Sequence, residues 1–76
     1  MTVELVRHNF PDRPNWILIS ESVPLGTKFE VLGYDAHYMI GNINFDEVRE
    51  IEVYLLSGHG DIGWLPAVCF EPVKES

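Results

Sequence analysis

The stretch "GDIGWLPAVCFEPV", residues 60–73, decides the fold. "IGWL" is a short β-rich run, Pro66 ends it, "AVC" gives a turn, and "FEPV" gives a last strand. Pro72 has no backbone N–H, so that last strand must lie at a sheet edge. Strand alternation points Leu65 inward and Trp64 outward. Immediately upstream, "IEVYLL" is β-rich and "SGHGD" is a glycine-dense turn, so residues 51–66 form a strand pair.

Working outward, "PLGTKFEVLGY" places Phe29 and Val31 on one face of a strand, with Lys28 and Glu30 on the other. "TVELVRHNF" reads as a first strand running from Val3 to Phe10. "PDRPN" stops it, because two prolines remove donors and restrict their neighbours. Residues 11–25, which include the extended "WILI", then form one long excursion folded as an irregular hairpin. In residues 34–48, "HYMI" and "INF" around "GN" suit a tight hairpin, while "NFDEVRE" suits a capped helix start. The hairpin is preferred. About five short strands with irregular loops predict a single all-β domain over residues 1–76, a small barrel.

A chain of 76 residues buries about 60–65% of its unfolded surface. A hydrophobic fraction of 46% is too rich for a disordered chain. The longest apolar runs fall far short of a membrane-spanning helix, and "TVELVRHNF" lacks the basic and apolar regions of a secretory signal. A single cysteine, Cys69, allows neither an internal disulfide nor a cysteine-based zinc site within one chain. The expected setting is reducing and cytoplasmic. The net charge of −7 argues against direct nucleic-acid binding, which needs clustered Lys and Arg. A basic partner is the natural expectation.

The same residues carry a resemblance to the Src-homology-3 domains. "GWLPAVCFEPV" resembles that family's Gly-aromatic-apolar-Pro-x-x-Tyr-Val ending. "PLGTKFEVL" is similar to its Gly-x-x-apolar-x-Val strand, and "VRHNF" to its opening Ala-Leu-Tyr-Asp-Tyr. The resemblance implies a five-stranded barrel with a long first loop (11–25), a long second loop (34–48), a distal turn at 57–60 and a helical turn at 67–69. It also implies a groove for proline-rich segments. The family's opening tyrosines fall on His8 and Phe10, its groove tryptophan on Ile51, its next aromatic on Trp64, its proline on Pro66 and its last tyrosine on Cys69. The lost tryptophan and tyrosine predict a ligand other than an ordinary proline motif.

Trp64 can anchor a partner or cover one end of the core. Trp16 reads as loop packing. His8, His37 and His59 are scattered without metal-ligand spacing, so no metal or cofactor is expected. His8 and Cys69 fall along the same implied groove, where such a pair could supply a base and a nucleophile. No orienting third residue or oxyanion-hole motif accompanies them, so the chain is read as non-catalytic. Asp46, Glu47, Glu50 and Glu52 cluster around Arg49, while Asp12 and Glu21 lie in the first loop. They form either a solvated face or a docking surface for Arg and Lys.

The expected function is therefore a protein-interaction module binding a basic protein surface or an atypical peptide. His8, Phe10, Ile51, Trp64, Pro66 and Cys69 would line its altered groove, with Glu21, Asp46, Glu47 and Glu50 orienting the partner. The alternative is a small acidic inhibitor, of phage or mobile-element type, presenting carboxylates in place of phosphates. A structural subunit of a larger assembly would instead leave a large apolar surface exposed.

Overall fold

A computed structural model of the chain describes residues 1–58 and 61–74, and of residue 61 only the backbone. Its strands are β1 (Thr2–Leu5), β2 (Asn9–Phe10), β3 (Arg13–Ile17), β4 (Lys28–Asn42), β5 (Glu47–Gly58), β6 (Asp61–Pro66) and β7 (Phe70–Pro72). Five of them form an antiparallel sheet in the order β6-β5-β4-β1-β7, and β2 pairs with β3 separately. The fold is all-β. Among the described residues no sheet is closed, so β6 and β7 remain edges.

The closing segment folds as its residues dictate. β6 pairs with β5 over Val53–Pro66 to Gly58–Asp61, a 3-10 turn covers Ala67–Cys69, and β7 lies at the edge beside β1, where Pro72 needs no donor. The turn expected at 57–60 runs onto residues 59–60, outside the described residues, as does His59.

Three expectations need correction. The opening segment is two strands, because the backbone N–H groups of Val6 and Arg7 both donate to the Cys69 carbonyl, at 2.8 and 3.4 Å, instead of extending a ladder. Within the excursion at 11–25, β3 already begins at Arg13, so the turn is only Pro11–Asp12 and the irregular hairpin is β2–β3.

The expected long second loop does not exist. Residues 34–48 instead form the preferred hairpin, as an arm in which β4 runs on to Asn42 and β5 starts at Glu47. The turn lies at Ile43–Phe45, not at Gly41–Asn42. Asn42 Oδ1 accepts from the Asn44 N–H at 2.8 Å, and Asp46 takes the left-handed conformation (φ 46°, ψ 48°) that Asp tolerates better than most residues. Gly41 stays in the strand opposite Val48, whose Cγ2 lies 3.4 Å from where a Gly41 Cβ would sit. The helix alternative over "NFDEVRE" reduces to that single 3-10 turn, because Glu47 onward is strand.

A fifteen-residue strand at about 3.3 Å per residue would span ~50 Å, whereas the longest dimension of the molecule is 41 Å. Two bulges bend β4. Against β5 it holds one extra residue between Val31 and Gly33 and another between Asp35 and Tyr38.

The apolar core consists of Val3, Leu5, Ile19, Leu56, Cys69 and Phe70, with Phe29, Val31, Tyr54 and Leu65 packed around it. The less exposed side of β5 changes along its length. From Glu47 to Val53 the odd-numbered residues are the more covered, whereas nearer Gly58 it is Leu56 that is buried. Alternation places Leu56 on the opposite face from Arg49, Ile51 and Val53. One face of the ribbon is thus covered at its base and the other in the arm.

Candidate functional site

The arm is covered by the β2–β3 hairpin through an aromatic and ionic cluster. Phe10 and Trp16 are buried, their rings 4.9 Å apart and edge to face. The Trp16 ring stacks on Phe45 from the arm's turn, with centroids 5.6 Å apart and planes 9° from parallel. The Arg49 guanidinium sits 4.4 Å from the centre of the Phe10 ring, where its charge meets the negative ring face. Its two terminal nitrogens donate to both oxygens of Asp12, at 3.0 and 2.7 Å, and its Nε donates to Glu47 at 2.7 Å. Arg13 Nε donates to the other Glu47 oxygen at 3.1 Å.

Two arginines and two carboxylates therefore neutralise one another over an aromatic floor. The paired geometry with Arg49 holds the Asp12 carboxyl below the usual Asp range, and the same two carboxylates raise the Arg49 pKa.

Beside this cluster lies a shallow groove of about 430 Å³, whose apolar lining includes Phe10, Pro11, Ile51, Tyr54, Ala67 and Val68. Asp12, Arg49 and Glu52 contribute its polar groups. Tyr54 is in ring contact with Tyr34, with centroids 5.9 Å apart. The Tyr34 hydroxyl has its pKa raised by desolvation and by the hydrogen-bonded Glu52 carboxylate.

Of the residues expected in a site, Phe10 and Ile51 line this groove, Phe10 as a buried floor. Glu47 lies between Arg13 and Arg49. Glu50 faces away from that cluster, its carboxylate 3.4 Å from the His37 Nδ1. Glu21 and Asp46 are exposed, and neither forms an ion pair among the described residues.

Trp64 is 50% exposed and lies elsewhere, its ring across Leu55 and above Gly33. Pro66 is buried opposite Val53. Cys69 is wholly buried in the core, and that burial raises its thiol pKa to about 11 against the opposing influence of Arg7. His8 donates its Nε2–H to the Val23 carbonyl at 2.6 Å, and its own carbonyl accepts from Leu18 and Ile19. It clamps the first connection. Cys69 and His8 are thus each committed to packing or backbone hydrogen bonding. Among the described residues no group of three His, Cys, Asp or Glu side chains could hold a metal, and no helix is long and apolar enough to cross a membrane.

Arg13, Arg49, Trp16, Phe45 and Tyr54 were not anticipated as a set. Their one local signal is the Glu47-x-Arg49 spacing, which puts opposite charges on one face of a strand. Comparison with protein-family models, with curated proteins and with solved structures finds no match for this chain.

Proposed function

We propose that the chain is a non-catalytic protein-interaction module, related in architecture to the Src-homology-3 barrels, that binds a basic segment of a partner protein in the groove between Phe10, Ile51 and Tyr54. The observation that carries this reading is the groove itself, an apolar trough open to solvent with Glu52 among its lining residues beside the mutually paired Asp12 and Arg49. Apolar contact there would supply affinity, and the net charge of −7 would steer a basic partner toward it. The barrel kinship is supported by the strand order, by the 3-10 turn at Ala67–Cys69 and by the placement of β7 beside β1. With Ile51 in place of a tryptophan ridge, the groove favours an apolar side chain flanked by Lys or Arg over a pure proline helix.

The pairing of Asp12 and Glu47 with the chain's own arginines favours this reading over a mimic of nucleic-acid charge, which needs its carboxylates turned toward the partner. The test is backbone NMR with a panel of short peptides that combine Lys or Arg with Leu or Pro. Shifts centred on Ile51, Tyr54 and Val68, weakened by salt and removed by Ile51→Glu, support the groove. Shifts centred on Trp64 and Leu55, or no saturable shifts with any peptide, reject it.

A further inference from the structure

A second cleft, of about 590 Å³, lies between the connection at 18–24 and the β5–β6 pair. Its walls include Leu18, Ile19, Val23, Phe29, Leu56 and Leu65, and among the described residues no charged side chain lines it. Among the described residues it shares none of its lining with the groove.

Gly63 lies in the β6 wall of the cleft. β6 pairs Gly63 with Leu56, which is only 1% exposed, so alternation turns Gly63, itself exposed, to the same face as Leu56, between Trp64 and the exposed Ile62 at the rim of the cleft. A Cβ built there meets no atom within 4 Å. The backbone does not require glycine either, since the one left-handed glycine among the described residues is Gly26. A side chain at this position would therefore enter open space on the cleft side of β6.

The opposite wall is held by bonds internal to the protein. Ser20 and Ser22 join their hydroxyls at 2.7 Å, the Ser20 carbonyl accepts from the Val23 N–H at 3.0 Å, and the Val23 carbonyl accepts from His8. The cleft therefore stands preformed, with two hydroxyls as its side-chain polar groups among the described residues. Its volume falls within the ~300–1,000 Å³ typical of small-molecule sites. An ionised ligand would lose its hydration without gaining a counter-charge.

We propose that this cleft binds a small, uncharged, largely apolar molecule, aromatic or short-chain aliphatic, whose single polar end bonds to the Ser20–Ser22 pair. The site is independent of the groove. The probe is the neutral fluorophore N-phenyl-1-naphthylamine, titrated into the whole chain.

Saturable one-to-one binding is expected, weakened at least tenfold by Gly63→Phe, which fills the cleft and leaves Tm equal to or above that of the parent. Trp64→Ala, on the other side of the same strand, and Ile51→Glu, in the groove, should bind the probe as the parent does. Absence of saturable binding, or undiminished binding by folded Gly63→Phe, overturns the proposal. Should Gly63→Phe not fold, methyl NMR of the parent decides. Probe-induced shifts at Leu18, Val23 and Leu65 sustain the site, and shifts confined to Ile51 and Val68 refute it.

Discussion

The core around Leu5, Leu56 and Phe70 and the cluster around Trp16 and Arg49 are the two places where this chain buries its largest side chains, and they are built on different physics. The first is wholly apolar and joins β1, β4, β5 and β7 with the 3-10 turn before β7. The second holds three aromatic rings, two arginines and two carboxylates, and fastens a two-residue strand and its partner to the arm. Burial in the core depends on area removed from water and responds little to salt. The cluster depends on charges that are a fifth to a half exposed, so it responds to salt and acid. The base of the sheet should therefore behave as the stable unit and the arm as the conditional one.

That contrast breaks most sharply under Phe70→Ala. Removing a core ring that meets Phe29 edge to face should cost about 4–5 kcal/mol, against a total of ~4–11 kcal/mol for a chain of this length. Urea denaturation followed by circular dichroism should show global loss of structure at low denaturant. Trp16→Ala should cost less, about 3 kcal/mol, because one side of the ring faces Arg49 rather than apolar atoms. Amide exchange should accelerate first in residues 38–51, leaving β1 and Leu56 protected. Equal acceleration throughout would mean that base and arm are one cooperative unit.

Arg49→Met leaves Asp12 and Glu47 without their shared partner, beside Arg13 alone. The Tm should fall, and the gap to the parent should narrow at about 0.5 M salt, where screening lengths are a few ångströms. Arg49→Lys should recover only part of the loss, since one ammonium cannot reproduce the paired bonds to Asp12 together with the third to Glu47.

The Asp12 carboxyl has a folded-state pKa below its ordinary 3.8. Its contribution is fully present above that value and disappears as pH falls through the folded-state pKa. Asp12→Asn should flatten the acid limb of a Tm-against-pH curve.

The smallest effect belongs to Cys69, whose thiol is raised from 9.0 to about 11. The unfolded thiol ionises first, so the contribution is whole below pH 9 and is lost as pH rises toward 11. At neutral pH the native thiol should react with iodoacetamide far more slowly than in urea. An equal rate would show that the core opens readily around it.

The closing stretch was legible because its decisive residues act locally. Pro66 and Pro72 restrict their own backbone, and alternation alone turns Trp64 outward and Leu65 inward. The arm was legible only as a hairpin, with its turn misplaced and its length missed, because residues 34–48 carry competing local signals. Gly41 and Asn42 imitate a turn, and "NFDEVRE" imitates a helix start. The outcome reflects contacts from far along the chain, including Phe45 on Trp16 and Arg49 on Asp12. For the same reason the carboxylates of residues 46–52 read as one acidic face, whereas Glu47 and Glu50 lie on opposite sides of β5.

The two extra residues of β4 set how this chain tolerates insertions. Both bulges lie on β4 and none on β5, so the arm's register beyond Tyr38 follows strict alternation down to Asn42 and Glu47. Lengthening the hairpin by one residue in each strand beyond Ile51 would turn the strand ends over, carrying Glu47 and Arg49 to the open side and Val48 toward Trp16. Adding two in each strand would restore every facing pair and only move the tip outward by about 7 Å. Related chains with longer or shorter arms should therefore differ by even steps per strand, and odd steps should coincide with a new bulge.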